Sequence, residues 1–179
     1  MVLFHNDFVA MTGKIPDVIY TAGYGNRGFD GFIELMRSFQ ITHIVDVRSV
    51  PSSSYWEDFR RENLIDSIPK VGFKYVYMGD KLGGVQDSPV LCKDPESVDL
   101  APLFVSEDFL LGLTTLINAA QHNRKICLMC GCKRPHQCHR SRLIGTALLN
   151  RGIDLEHIDA DDTILLQSKI DRFEQASLF

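Results

Sequence analysis

The segment Cys130-Gly131-Cys132-Lys133-Arg134-Pro135-His136-Gln137-Cys138-His139-Arg140-Ser141-Arg142 places three thiols, two imidazoles and four cations within 13 residues. It follows an apolar run and precedes an amphipathic one, so it reads as a loop joining a buried strand to a helix. Such a loop presents unpaired backbone N–H groups and the positive end of the helix dipole. Cationic neighbours at that place lower a thiol's pKa from about 8.5 towards about 3.5–7.5. A thiolate of this kind is a nucleophile or a redox group, and the same field binds phosphate or sulfur oxyanions. Arg140 lies four residues before Ile144 on the stripe Ile144, Ala147, Leu148, which turns it inward. Cys130 and Cys138 are therefore candidate nucleophiles, His139 a proton-transfer group, and Arg140 with Ser141 an anion-binding pair.

Two other readings compete. Cys130, Cys132, Cys138, His136 and His139 are all zinc-type ligands, but a Cys-x-Cys spacing is tighter than usual and the intervening cations oppose a dication. Alternatively the cysteines fill the core, as expected for Cys127 on the strand itself, and His139 with Arg140 braces a helix.

A second constellation is Asp46 and Arg48, two apart on one strand and so on one face. An ion pair there would aim Arg48 at a ligand and leave Asp46 as a proton acceptor; the plainer alternative is a buried pair supporting the sheet. Tyr24 and Asn26, in the turn after an earlier strand, would donate hydrogen bonds to the same ligand.

The elements that position these groups alternate. Strands are expected at 18–22, 44–48, 73–78, 126–130 and 155–158, and helices at 29–39, from Trp56 up to Pro69, at 108–120, 139–151 and 164–173. Residues 85–105, with Pro89, Pro95 and Pro102, read as an irregular excursion. This order predicts a single three-layer α/β sandwich with a mostly parallel, Rossmann-like sheet over 18–160, an N-terminal extension at 1–17, and a C-terminal helix within 161–179 docked on the domain or a second subunit. Ligands of such sheets sit beyond the strands' carboxyl ends, where all of the groups named above collect.

With 179 residues, 45% hydrophobic and 23% charged, the chain is ordinary globular material, neither disordered nor fibrous. No apolar run reaches membrane-spanning length, and the first seven residues lack a signal peptide's basic and apolar pattern. A cytoplasmic protein is expected, and five cysteines make a disulfide framework unexpected. The net charge of −4 hides an asymmetry: residues 109–153 carry seven basic and no acidic residues, leaving 12 basic against 23 acidic elsewhere. Such a field suits an anionic small molecule or nucleic acid.

The elements Thr21-Ala22-Gly23-Tyr24, Val45-Asp46-Val47-Arg48-Ser49 with Pro51, Tyr75, Leu82-Gly83-Gly84, and Leu128-Met129-Cys130 followed by Cys138-His139-Arg140 resemble the domain of unknown function 488 family. The resemblance runs from residue 18 to 158. It implies an α/β domain with a site at Asp46, Arg48, Cys130, Cys138, His139 and Arg140, and implies no reaction. Where relatives often carry a Cys-Ala-Glu-like element this chain has Cys130-Gly131-Cys132, and where many have His it has Tyr24. A looser likeness to rhodanese-like domains, which also set an Asp-Val-Arg strand beside a strand–Cys–loop–helix anion cradle, bears on mechanism only.

The expectation is thus a protein that binds a small phosphorylated or otherwise anionic ligand at the strand ends, with thiolate chemistry of a transferase or hydrolase kind and no cofactor or bound metal. The alternatives are a non-enzymatic nucleotide or nucleic-acid module and a structural zinc site. The terminal Ala176-Ser177-Leu178-Phe179 suits docking on the chain's own core or in a homo-oligomer.

Overall fold

The computed structural model describes residues 18–53, 55–84, 99–122 and 124–170. The N-terminal extension, most of the excursion after Gly84 and the last nine residues lie outside them.

Six strands form one sheet in the order β3-β2-β4-β1-β5-β6. They are β1 (Ile19–Gly23), β2 (His43–Asp46), β3 (Lys74–Tyr77), β4 (Ile126–Cys130), β5 (Glu156–Ile158) and β6 (Ile164–Leu166). The first five run parallel, and β6 closes the edge antiparallel to β5. The central strand, β4, is buried at every position, as its unbroken Ile-Cys-Leu-Met-Cys run requires of a strand covered on both faces.

Strand alternation splits the core in two. Ile126 and Leu128 pack with Leu82 of α3 (Gly79–Leu82), the short α4 (Ala101–Phe104), α5 (Glu107–Ala120) and α6 (Thr146–Leu149). Cys127 and Met129 pack with α1 (Gly28–Ser38) and α2 (Arg61–Lys70) on the other face. The result is a three-layer α/β sandwich. Ser106 caps α5 by accepting from the Phe109 amide, with Glu107 and Asp108 in the first turn.

Three local readings differ from the structure. The helix expected over 164–173 starts only at 167, because Ile164-Leu165-Leu166 pairs with β5 across a tight turn at Asp159–Asp162. Asp162 supplies the left-handed step of that turn at φ 67°, a conformation Asp tolerates, and three apolar residues in a row carry no period of their own. The helix expected over 139–151 is a π-helical segment, Arg140–Gly145, that passes into α6. The second helix runs through Pro69 to Lys70 rather than stopping at the proline.

Candidate functional site

Loop 131–139, between β4 and the π-helical segment, folds back over the carboxyl end of β1. The backbone amides of Tyr24 and Gly25 donate to the carbonyls of Cys130 and Gly131, both at 3.0 Å. Gly23 permits this closeness, since a Cβ there would overlap the Cys132 carbonyl. The crossing brings the start of the π-helical segment onto the strand ends, with Cys138 almost sealed and Arg140 wholly so. π-Helical turns are rare and tend to mark functional sites.

Arg140 is the largest fully buried side chain. Its Nε donates to Cys138 Sγ at 3.4 Å, Nη1 to Thr21 Oγ1 at 2.9 Å, and Nη2 to the carbonyls of Cys132 at 2.5 Å and Lys133 at 3.5 Å. Four of a guanidinium's five N–H groups are thereby directed at the protein itself. The chain of bonds continues: Thr21 donates to His157 Nδ1, and His157 Nε2 donates to Gln167 Oε1, each at 2.7 Å. Every link is directed, because Arg140 can only donate and the Gln167 oxygen only accepts. Burial and the Arg140 charge depress the His157 pKa to about 4, so the ring is neutral and its tautomer fixed. Gly145 makes room for the last link, since a Cβ there would meet Gln167 Oε1.

Three sulfurs, those of Cys130, Cys132 and Cys138, lie within 4.8 Å of one another. Cys132 is disulfide-bonded, which the sequence did not lead one to expect, whereas Cys130 and Cys138 are free. Burial by itself would raise the Cys138 thiol; the hydrogen bond from Cys130, the Arg140 guanidinium and His139 outweigh it and hold Cys138 well below the ordinary thiol range. The same bond, then burial, drives Cys130 the other way. The two sulfurs are thus driven in opposite directions, Cys138 down and Cys130 up, as one interacting pair beside a single buried cation. Cys127, on the opposite face, is pushed up to about 12 by burial and is the core filler its position suggested.

His139 stands over the pair, with Nδ1 3.8 Å from Cys138 Sγ and 4.0 Å from Cys130 Sγ. Its Nε2 bonds the Val47 carbonyl at 2.8 Å. A carbonyl cannot donate, so Nε2 carries a hydrogen, and Nδ1 is the ring nitrogen turned toward the sulfurs. Ser141 Oγ is buried and has no hydrogen-bond partner among the described residues. His136, weighed as a metal ligand, is exposed.

The Asp46–Arg48 pair forms a separate cluster on the α1–α2 side. Arg48 grips Asp46 bidentately, Nε to Oδ1 at 2.8 Å and Nη2 to Oδ2 at 2.6 Å. The Arg48 backbone amide and the Tyr75 hydroxyl donate to the same carboxylate at 3.1 and 2.8 Å. Four accepted bonds occupy Asp46. Arg48 Nη1 reaches the Tyr24 hydroxyl at 3.3 Å, and the Tyr24 ring stacks on Phe59 at 3.8 Å. The two clusters meet at the sheet's rim through His139 on Val47 and through Tyr24, whose backbone bonds Cys130. Asn26 is exposed on the turn beyond.

The basic stretch is not one face. Arg124 and Lys125 precede β4 and Lys133 and Arg134 follow it, about 17 Å apart along five extended residues, while Arg140 is buried at the carboxyl end. Summing a linear segment missed this because a strand carries its two ends to opposite sides of the sheet.

These residues fall largely within one family match. The model of "Domain of unknown function DUF488" covers residues 28–147, which is 120 of the 179 residues. The chain belongs to this family. Thr21, Tyr24, His157 and Gln167 lie outside the matched stretch, so the buried chain behind Arg140 joins the family's segment to its flanks. No curated protein and no solved structure gives a significant match. Thr21 and Tyr75 stood in the sequence only as elements of the family resemblance, without a role, and His157 and Gln167 were missed; a His on a buried strand was the signal available, and nothing linear connects it to Thr21. Among the described residues no helix is long and apolar enough to cross a membrane.

Proposed function

We propose that the chain is an enzyme in which the Cys138 thiolate attacks a small anionic substrate, phosphorylated or bearing a sulfur oxyanion, in a group transfer or hydrolysis at the strand ends. The observation that carries this reading is the fully buried Arg140 donating to Cys138 Sγ at 3.4 Å. A cation held by three further hydrogen bonds is an expensive device for a merely structural thiol. Arg140 is then the thiolate's counter-ion rather than an outward clamp. Cys130 and His139 Nδ1 handle the proton, and the attacking sulfur loses none of its own. Arg48 takes the anion: three of its five N–H groups go to Asp46 and Tyr24, which leaves two. Asp46 orients Arg48, and the Ser141 hydroxyl is a further donor. No cofactor is invoked.

Iodoacetamide alkylation followed against pH, with the modified residue mapped by mass spectrometry, tests this. Cys138 is expected to react with an apparent pKa far below about 8.5, and Cys138→Ala to lose that phase. The reading fails if every thiol titrates at the ordinary value or none reacts.

A metal site is the second reading, favoured by the three clustered sulfurs. Against it stand the disulfide at Cys132 and the guanidinium on Cys138. Stoichiometric zinc in the purified protein would establish it. The scattered cations give nucleic acid little to follow, so no binding with a steep salt dependence is expected.

A further inference from the structure

Cys130 is more than a hydrogen-bond partner in reach of the nucleophile: its sulfur lies within 4.8 Å of Cys138 Sγ. A disulfide bond measures about 2.05 Å, so less than about 3 Å of closure joins the two. Both are free thiols, and both face the same imidazole Nδ1. Cys132 is disulfide-bonded and so is not the free thiol of the group. Cys130 is 6% exposed and Cys138 1%, so only a very small reagent is suited to the pair.

We propose that Cys130 and Cys138 are a peroxide-oxidised redox pair, with Cys138 the attacking sulfur and Cys130 the resolving one. This rests on the reading of Cys138 as the site's thiolate. In the first step Cys138 Sγ attacks the terminal oxygen of a small hydroperoxide. The O–O bond breaks, Cys138 becomes the sulfenic acid, and the departing alkoxide or hydroxide takes the proton of Cys130. In the second step the Cys130 thiolate attacks Cys138 Sγ. The S–S bond forms, the S–O bond breaks, and the hydroxide leaves as water after taking a proton from solvent through His139. Two electrons pass from the pair of sulfurs to the peroxide oxygen, giving one disulfide, one alcohol or water, and one further water. Arg140 holds the first sulfur ionised and stays in place through both steps.

The test treats the full chain, freed of reductant, with one equivalent of hydrogen peroxide at about pH 7, then blocks free thiols and maps the peptides. A thiol of ordinary pKa is only about 3% ionised there, so the Cys130–Cys138 cross-link should form at least about tenfold faster than Cys127 is oxidised. In Cys130→Ser, Cys138 should stop at the sulfenic acid and be trapped by dimedone. A Cys138 that pairs with another cysteine, is driven to the sulfinic acid while Cys130 stays free, or reacts no faster than Cys127 overturns the proposal. The untreated wild-type chain gives the iodoacetamide profile in parallel: low-pH alkylation of Cys138 without the cross-link sinks the redox pair alone, whereas loss of the low-pH alkylation sinks the thiolate reading beneath it.

Discussion

Arg140 donates to the sulfur of Cys138 from a position with no solvent-exposed surface at all. A guanidinium stripped of water costs several kcal/mol unless its N–H groups are matched, and here Thr21, Cys132 and Lys133 match them. The proposed Cys138 thiolate and the buried cation would compensate each other: either without the other is an unmatched charge in a dry interior.

Arg140→Leu should accordingly return Cys138 to the behaviour burial dictates, a thiol above the ordinary range that alkylates slowly at neutral pH. Stability should fall by about 3–5 kcal/mol as Thr21 and the two carbonyls lose their partner. Arg140→Lys should not restore reactivity, because a single ammonium cannot reach four acceptors arranged for a planar fork. Alkylation rate and urea denaturation read the two effects separately.

His157 gives an acid limb to stability. Its folded pKa is about 4 against an ordinary value of 6.5. Between those values the unfolded chain binds a proton that the folded one refuses, so stability is complete above about pH 6.5 and drains away as pH falls to about 4. The loss from this residue is about 3 kcal/mol. His157→Gln, neutral throughout, should flatten that limb in denaturation curves taken across the interval, although it starts from a lower plateau.

Gly145→Ala should displace Gln167 from His157, since the new methyl occupies the place of Gln167 Oε1. Overpacking of this kind costs about 1–3 kcal/mol. Hydrogen exchange should show the loosening in 164–167 and at Thr21 before it reaches β2 or β3.

Asp46 and Tyr75 should differ sharply in cost. Tyr75→Phe removes one of four bonds to a carboxylate that keeps its bidentate Arg48, about 1 kcal/mol. Asp46→Ala strands a 6%-exposed Arg48 with no counter-charge, about 3–5 kcal/mol. Thermal melts of the two variants side by side decide it; equal losses would mean that the carboxylate is not the anchor.

The layered fold was legible in the chain because buried parallel strands are continuous apolar runs and the covering helices keep a 3.6-residue stripe. Ile126–Cys130 and the stripe of α5 needed no tertiary information, and the Cys138-His139-Arg140 triplet announced itself by residue type at the mouth of a strand. Inward placement of Arg140 also followed from helical spacing. What it is linked to did not: Thr21, its direct partner, and His157 and Gln167 beyond it in the same chain of bonds lie far from one another in sequence, and the pairing of β1 with β4 and β5, with β6 turning back on β5, makes them neighbours. The same pairing divided the basic stretch, which a linear sum had joined, between two ends of the sheet, and it set Arg48 and Arg140 in separate clusters rather than in one anion clamp. β6 was lost for a related reason, since three apolar residues carry no period and only a partner strand decides their conformation. Residue types and spacing pointed to the groups on which chemistry could rest; the folded contacts set a buried guanidinium on Cys138 and supplied the partners that hold it, because desolvation and hydrogen-bond direction exist only between groups that tertiary structure has brought together.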